Sequence, residues 1–412
     1  MVSLVRRYYF YRASLSSGFY IPVSVIYMES RGLGLPEIGL VQGTFLFSMV
    51  VWELPTGYLG DRLGRRAALA LGSAVTVAVM AGFALAESTL GFATVYGLWA
   101  VAWTFKTGAA DAWLYELLAT RGEEEEFSRI SGRADSVLRL LSGGAALSVG
   151  LLYTVDSSLP FLANAALAGI GLPVLFTLPR TNGAGSGDDA AVKDAAVEDA
   201  AVDDADPSPI GVREVARVLR RELSRPSIRW VVAYAALFNL AFSVTRVFEQ
   251  PAMRSVGVPV AGLGLLYAGF KLVSAIVSSL TGAVHDRLGT RGVLFLLVPA
   301  VGVAYGAFAV VPALLVPALF LRRGLQRITR PVRTEYVNDR VEDVGRATVL
   351  SGVSMALTLA SGTANVLGGR VAEAVGPLRF LSATGVAVSL AAGILWIAVR
   401  PVRSAAGDPA PS

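Results

Sequence analysis

The chain has 412 residues, of which 54% are hydrophobic and 16% charged, with a mean hydropathy of +0.58. A soluble domain of that size needs a far more charged surface, so the composition excludes an ordinary water-soluble protein. With no cysteine and a single histidine, His285, it excludes disulfides, thiolate or histidine metal sites and cysteine nucleophiles; the net charge of +5 is spread over loop after loop, unlike a nucleic-acid-binding patch.

Apolar runs of about 18 residues or more recur along the whole chain, the mark of transmembrane helices. A membrane β-barrel would instead alternate apolar and polar residues in segments of about ten. Read against helix breakers, the runs predict twelve spans: 8–28, 38–59, 67–86, 90–117, 131–155 and 158–178, then 228–249, 260–284, 292–311, 313–334, 347–371 and 377–399. Arg6 and Arg7 precede the first span, which reaches spanning length without a small-residue cleavage site, so no cleavable signal peptide is expected.

Arginine placement orients the spans. The even-numbered links are basic, with Arg62, Arg65 and Arg66, then Arg121, Arg129 and Arg133, then Arg287 and Arg291, then Arg340 and Arg346. The odd-numbered links carry little charge, the last of them, with Arg370 and Arg379, being a mild exception. Both termini are therefore expected on the cytoplasmic side of the cytoplasmic membrane. Between spans six and seven lies GSGDDAAVKDAAVEDAAVDDADPSP, repetitive, acidic and free of aromatics, which predicts disorder. The following IGVREVARVLRRELSRP alternates charged and apolar residues at helical spacing; it reads as a short amphipathic helix on the membrane face or as a plain solvated helix. The expected organisation is an N-terminal six-helix bundle over 1–178, a linker with its short helix over 179–227, a C-terminal six-helix bundle over 228–400 and a tail over 401–412.

The link after span two, TGYLGDRLGRR from Thr56 to Arg66, returns after span eight as TGAVHDRLGTR from Thr281 to Arg291. Seven of eleven positions are identical at a constant offset of 225 residues, a parallel internal repeat. The glycines permit a tight turn and close helix approach. The arginines hold the turn on the cytoplasmic side, and the aspartate can pair with an arginine or cap a helix start.

With these residues the chain resembles the major facilitator superfamily, whose signature link is Gly-x-x-x-Asp-Arg/Lys-x-Gly-Arg-Arg/Lys. Gly57, Asp61, Arg62, Gly64, Arg65 and Arg66 fill every place; in the second copy Gly282, Asp286, Arg287, Gly289 and Arg291 match and Thr290 departs. The resemblance implies an all-α membrane protein with twelve transmembrane helices in two six-helix bundles related by a pseudo-two-fold axis. It implies a central cavity lined by spans one, four, seven and ten, and alternating access. It also implies a conformational latch at the Asp61 link, beside the plainer role of fixing topology. A monomer is the family expectation.

Ionisable groups inside spans are costly and are functional candidates by default. In span four, Trp99, Trp103, Lys106 and Trp113 fall on one helical face, with Asp111 close beyond Lys106. That face suits a flat or anionic ligand, or else it is interhelical packing with Lys106 paired to Asp111. Span seven offers Asn239, Phe242 and Arg246, with Glu249 placed to neutralise Arg246; span ten offers Arg323, Arg327 and Arg330 on one face, with Arg330 near enough to the surface to snorkel. Arg12 lies in span one. These are the candidate cavity residues, and Asp111 and then Glu249 are the candidate proton-coupling carboxylates. No cofactor or metal is expected.

The Gly-Pro-x-x-Gly-Gly element of many drug:proton antiporters is absent, span five reading LLSGGAALSVG without proline, and so is the common Arg-x-x-Gln-Gly of span four. The leading expectation is a secondary transporter exporting a small organic molecule by proton antiport. The main alternative is an uptake carrier for an organic anion or other small solute, and a third is a non-transporting sensor or scaffold. An enzyme is not expected, because no nucleotide loop or nucleophile–base pair is found.

Overall fold

The computed structural model describes residues 2–181, 226–338 and 346–399. Most of the expected linker, the amphipathic helix after it and the tail at 401–412 lie outside the described residues. Within them the chain is helical, without β-strand. The first half holds α1 (Val2–Ser14), α2 (Ser24–Ser30), α3 (Leu35–Leu63), α4 (Arg65–Leu85), α5 (Thr89–Lys106), α6 (Ala109–Ala119), α7 (Phe127–Val155) and α8 (Leu159–Phe176). The second holds α9 (Pro226–Ser255), α10 (Val260–Val310), α11 (Leu315–Asn338), α12 (Arg346–Val375) and α13 (Pro377–Val399).

Each expected span falls on helix, and two of them are broken. Span one divides into α1 and α2, with residues 15–23 in turns. Serine hydroxyls there compete with helical bonding, and Pro22 lacks a backbone donor. Ser16 Oγ accepts from Gly18 N at 3.2 Å and pairs with Ser142 Oγ at 2.9 Å. Span four divides into α5 and α6 at Thr107 and Gly108, the latter at φ 77°, a left-handed conformation that favours glycine.

The repeated link has a repeated backbone. Gly64, between α3 and α4, has φ 83° and ψ 153°; Gly289, inside α10, has φ 62° and ψ 170° and divides it into two helices. Seven described helices are long and apolar enough to cross a membrane. Spans eight and nine fall within the single range Val260–Val310, and spans one, four, ten and eleven are not among the seven; spans one and four are broken, and span ten carries several arginines.

The chain forms two compact units. Among the described residues, one comprises 2–21, 47–145 and 158–181; the other comprises 22–46, 146–157, 226–338 and 346–399. The first unit buries Tyr8, Tyr11, Trp113, Leu114, Leu117 and Leu175 in one cluster. A second group of rings, Tyr20, Phe83, Tyr96, Trp99 and Phe161, packs edge-on and stacked in the same unit. In the second unit small residues allow close helix crossings, as expected where helices pack in lipid. A Cβ on Gly264 of α10 would meet the Ala146 carbonyl of α7, and one on Gly39 of α3 would meet the Asn365 carbonyl of α12.

Candidate substrate site

A cavity of about 300 Å³ opens in the second unit, and Asn239, Phe242, Arg246, Arg322, Arg323 and Gln326 line it. Leu46, Ser243, Thr358 and Ser361 complete the wall. Helix α9 delivers Asn239, Phe242, Arg246 and then Glu249 at i, i+3, i+7 and i+10, one helical face. Helix α11 delivers Arg322, Arg323 and Gln326. Asn239 Nδ2 donates to Ser361 Oγ at 3.0 Å, which fixes its amide.

Glu249 is fully buried. An ionised carboxylate survives there only with charged or hydrogen-bonding partners. Arg322 Nη2 donates to its Oε2 at 2.5 Å and Arg323 Nη2 to its Oε1 at 2.5 Å. Tyr267 of α10 donates its hydroxyl proton to Oε1 at 2.6 Å. The Arg323 guanidinium also lies over the Phe270 ring, 5.1 Å from its centroid. Arg322 Nη1 reaches the Phe242 carbonyl at 3.5 Å. The Nε atoms of both arginines are buried without a hydrogen-bond partner among the described residues. Three guanidinium groups therefore bear on the cavity, and Arg322 and Arg323 retain donor capacity at Nε among the described residues.

The structure thus brings Asn239, Phe242, Arg246, Arg323 and Glu249 together. The carboxylate reaches across to Arg322 and Arg323 of α11, partners that the spacing along α9 did not supply. Arg322 was missed by the sequence reading, which grouped arginines by the 323, 327, 330 spacing. The available signal was the Arg322–Arg323 doublet, since adjacent helical residues point about 100° apart and cannot both face lipid. Arg327 is exposed and outside the cavity lining, and the Arg330 side chain lies outside the described residues.

The first unit treats its candidates differently. The single face expected of Trp99, Trp103, Lys106 and Trp113 does not form, because the helix breaks between Lys106 and Trp113. Trp113 is fully buried, stacked on Tyr8 at 5.5 Å, and its Nε1 donates to the Pro179 carbonyl at 3.1 Å. Trp103 is exposed, and Trp99 meets Tyr20 edge-on at 5.3 Å. Lys106 donates to Thr76 Oγ1 at 2.6 Å. Asp111 lies instead 4.0 Å from Arg12 and accepts from Ser131 Oγ at 3.3 Å. Arg12 donates to Asp135 Oδ1 at 2.5 Å, with Arg139 3.9 Å from the other oxygen.

The signature link is tied within the first unit. Arg65 donates to Asp61 Oδ1 at 2.9 Å and to Glu116 Oε1 at 3.2 Å, joining α3 and α4 to α6. Arg66 donates to the Phe176 carbonyl at the end of α8 at 2.7 Å. In the second copy Arg291 lies 5.9 Å from the Trp396 ring centroid, and His285 pairs with Thr290 at 3.0 Å.

An all-helical chain of apolar spans, a repeated basic link and a polar cavity among helices define a multi-pass membrane transporter. The chain belongs to the Major Facilitator Superfamily, whose family profile matches residues 13–250, more than half its length. Its curated relatives include the uncharacterized MFS-type transporter YxaM of Bacillus subtilis (strain 168), 20% identical over 344 residues, 82% of this chain and 81% of that one. Another is the uncharacterized MFS-type transporter YdeG of the same organism, 31% identical over 147 residues, 35% of this chain and 33% of that one. The fold is shared with the nucleoside transporter NupG, with a TM-score of 0.74 at 14% identity over 97% of both chains. A D-xylose-proton symporter follows at TM-score 0.63 and 13% identity, over 96% of this chain and 95% of that one. The chain is accordingly a secondary transporter of small molecules, not an enzyme.

Proposed function

We propose that the chain carries a small organic anion through the cavity at Arg246, Arg322 and Arg323, with a proton taken up at Glu249. The observation that supports this is the lining itself: the guanidinium groups of Arg246, Arg322 and Arg323 face the cavity, while Glu249 lies buried behind Arg322 and Arg323. Such a surface repels a cation and attracts an anion, and more strongly away from bulk water. An entering carboxylate or phosphate can take the place of Glu249 on Arg323; Glu249 then keeps Arg322, and its ionised form is held less strongly, which favours proton uptake. Anion and proton then travel together, which favours symport over the proton antiport that led the sequence reading. The volume of about 300 Å³ is at the small end of ligand pockets.

A second reading is a neutral polar solute such as a nucleoside or a sugar, the classes named for two structural neighbours. Asn239, Gln326, Thr358 and Ser361 offer the hydrogen bonds it would need. In either reading the links with Arg62, Arg65, Arg66, Arg287 and Arg291 face the cytoplasm. The Asp61 link serves as the latch of alternating access, the six-plus-six bundles move as bodies, and the protein works as a monomer in the cytoplasmic membrane.

The test is a thermal-shift screen of the purified protein with benzoate, citrate, phosphate, xylose, nucleosides and lipophilic cations, followed by flux in liposomes. A ligand of the folded state raises the melting point with its concentration over Kd. Stabilisation by anions, lost in Arg246→Ala, supports the anion carrier; stabilisation by nucleosides or xylose alone supports the second reading. Stabilisation by lipophilic cations alone returns the choice to export. Binding without any flux would favour a sensor.

A further inference from the structure

Glu249 is also one end of a chain of directed hydrogen bonds that leads out of the cavity to the broken first span. Its next neighbour, Gln250, is 2% exposed. Gln250 Oε1 accepts from Val25 N at 3.1 Å and from Ile26 N at 3.3 Å. These are among the first amides of α2, donors that find no acceptor within the helix's own first turn, and its N-cap residue Val23 offers no capping side chain. Val25 and Ile26 are buried, so water does not replace the glutamine. Gln250 Nε2 donates to the Tyr267 hydroxyl at 3.2 Å, and that hydroxyl donates to Glu249 Oε1.

Every proton in this chain has one permitted direction. The amide oxygen must face two backbone donors, so its nitrogen must face Tyr267. Tyr267 must then accept from Gln250 and send its own proton to Glu249. Around the carboxylate stand Arg322 and Arg323 from α11, Tyr267 and, farther off, Tyr305 from α10, and Arg246 on its own helix.

We propose that Gln250 is a positioning residue that ties the start of α2 to the charge and partners of Glu249. When Glu249 is neutral or withdrawn, the buried Tyr267 hydroxyl loses its anionic acceptor and turns to its other partner, Gln250. The amide accepts that proton only by flipping. The flip takes its oxygen from Val25 and Ile26, and the first turn of α2 loosens. Substrate entry at Arg323 is thereby transmitted to the break in span one. This rests on the reading that Glu249 changes partners during turnover.

The full chain has no cysteine, so a single thiol reports without background. Ser24→Cys places it at the start of α2, at a position 7% exposed. The rate of alkylation by N-ethylmaleimide is read in detergent without substrate, which keeps the outcome independent of anion flux. Glu249→Gln is expected to raise the rate severalfold, Gln250→Leu to raise it similarly, and the pair together no further. In a Tyr267→Phe background, where the link is cut, Glu249→Gln should leave the rate unchanged. Should Glu249→Gln fail to fold, Glu249→Asp withdraws the carboxylate from Tyr267 by one methylene and should act in the same direction. An unchanged rate in the folded Glu249 variants, multiplying effects of the two positions, or an undiminished response in Tyr267→Phe would each overturn the proposal.

Discussion

Arg322 Nη2 and Glu249 Oε2 lie 2.5 Å apart, with side chains 1% and 0% exposed. A pair so buried stabilises little relative to an apolar pair, yet removing one partner strands the other. Glu249→Leu, which leaves Arg322 buried without its carboxylate, should destabilise the protein by about 3–5 kcal/mol, and Arg322→Leu by less, because Glu249 keeps Arg323. The combined Glu249→Leu/Arg322→Leu chain should lose less than their sum. Melting points in detergent read the comparison, and additive losses would show that the two side chains are not energetically coupled.

Arg246 stands in the cavity wall and is exposed, so its own side chain is not part of the buried core. Arg246→Ala should keep the melting point of the unliganded protein nearly unchanged. Its contribution to an anion is that of a charged hydrogen bond, about 1.5–3 kcal/mol, or roughly 10–100-fold in Kd. Titration with the best anion of the screen measures it; unchanged affinity would place the ligand elsewhere.

The two functions proposed for the signature link separate by mutation. Asp61 and Arg65 are 67% and 33% exposed, and an i,i+4 pair of that kind is worth at most about 1 kcal/mol. Asp61→Asn should therefore insert and melt like the parent chain while transport is lost or uncoupled. Normal flux would reduce the link to a topological device. Gly64→Ala and Gly289→Ala, at φ 83° and 62°, should by contrast cost about 1–2 kcal/mol each through backbone strain alone.

Much of the architecture was legible because lipid imposes long apolar runs and the duplicated link repeats residue by residue. Span twelve, Pro377–Val399, falls where the apolar run places it. The breaks were harder to read: Gly108 sits between Lys106 and Asp111 inside a run long enough to span, and a glycine there is not by itself distinguished from glycines that stay helical, such as Gly143 and Gly144. The site was half legible. The spacing of Asn239, Phe242, Arg246 and Glu249 on α9 is a property of one helix. The partner of Glu249 is a property of how α9 meets α11, and periodicity within either helix does not contain it.

A pH dependence follows from Glu29, in the link after the first span. Burial raises its carboxyl pKa above the usual value, an effect that Arg254 opposes and Glu373 reinforces. A folded-state value above the unfolded one means that the folded protein binds the proton more readily. The ionised group is thus a penalty at neutral pH, and the penalty fades as pH falls through the folded value towards the unfolded one. Glu29→Gln should accordingly raise the melting point at pH 7, with the gain over the parent chain shrinking to nothing near pH 4, about the unperturbed glutamate range. Melting curves of both chains across that window decide it. A gain that persists at low pH would mean that the substitution acts through packing, and a loss at pH 7 would mean that the Arg254 attraction outweighs burial.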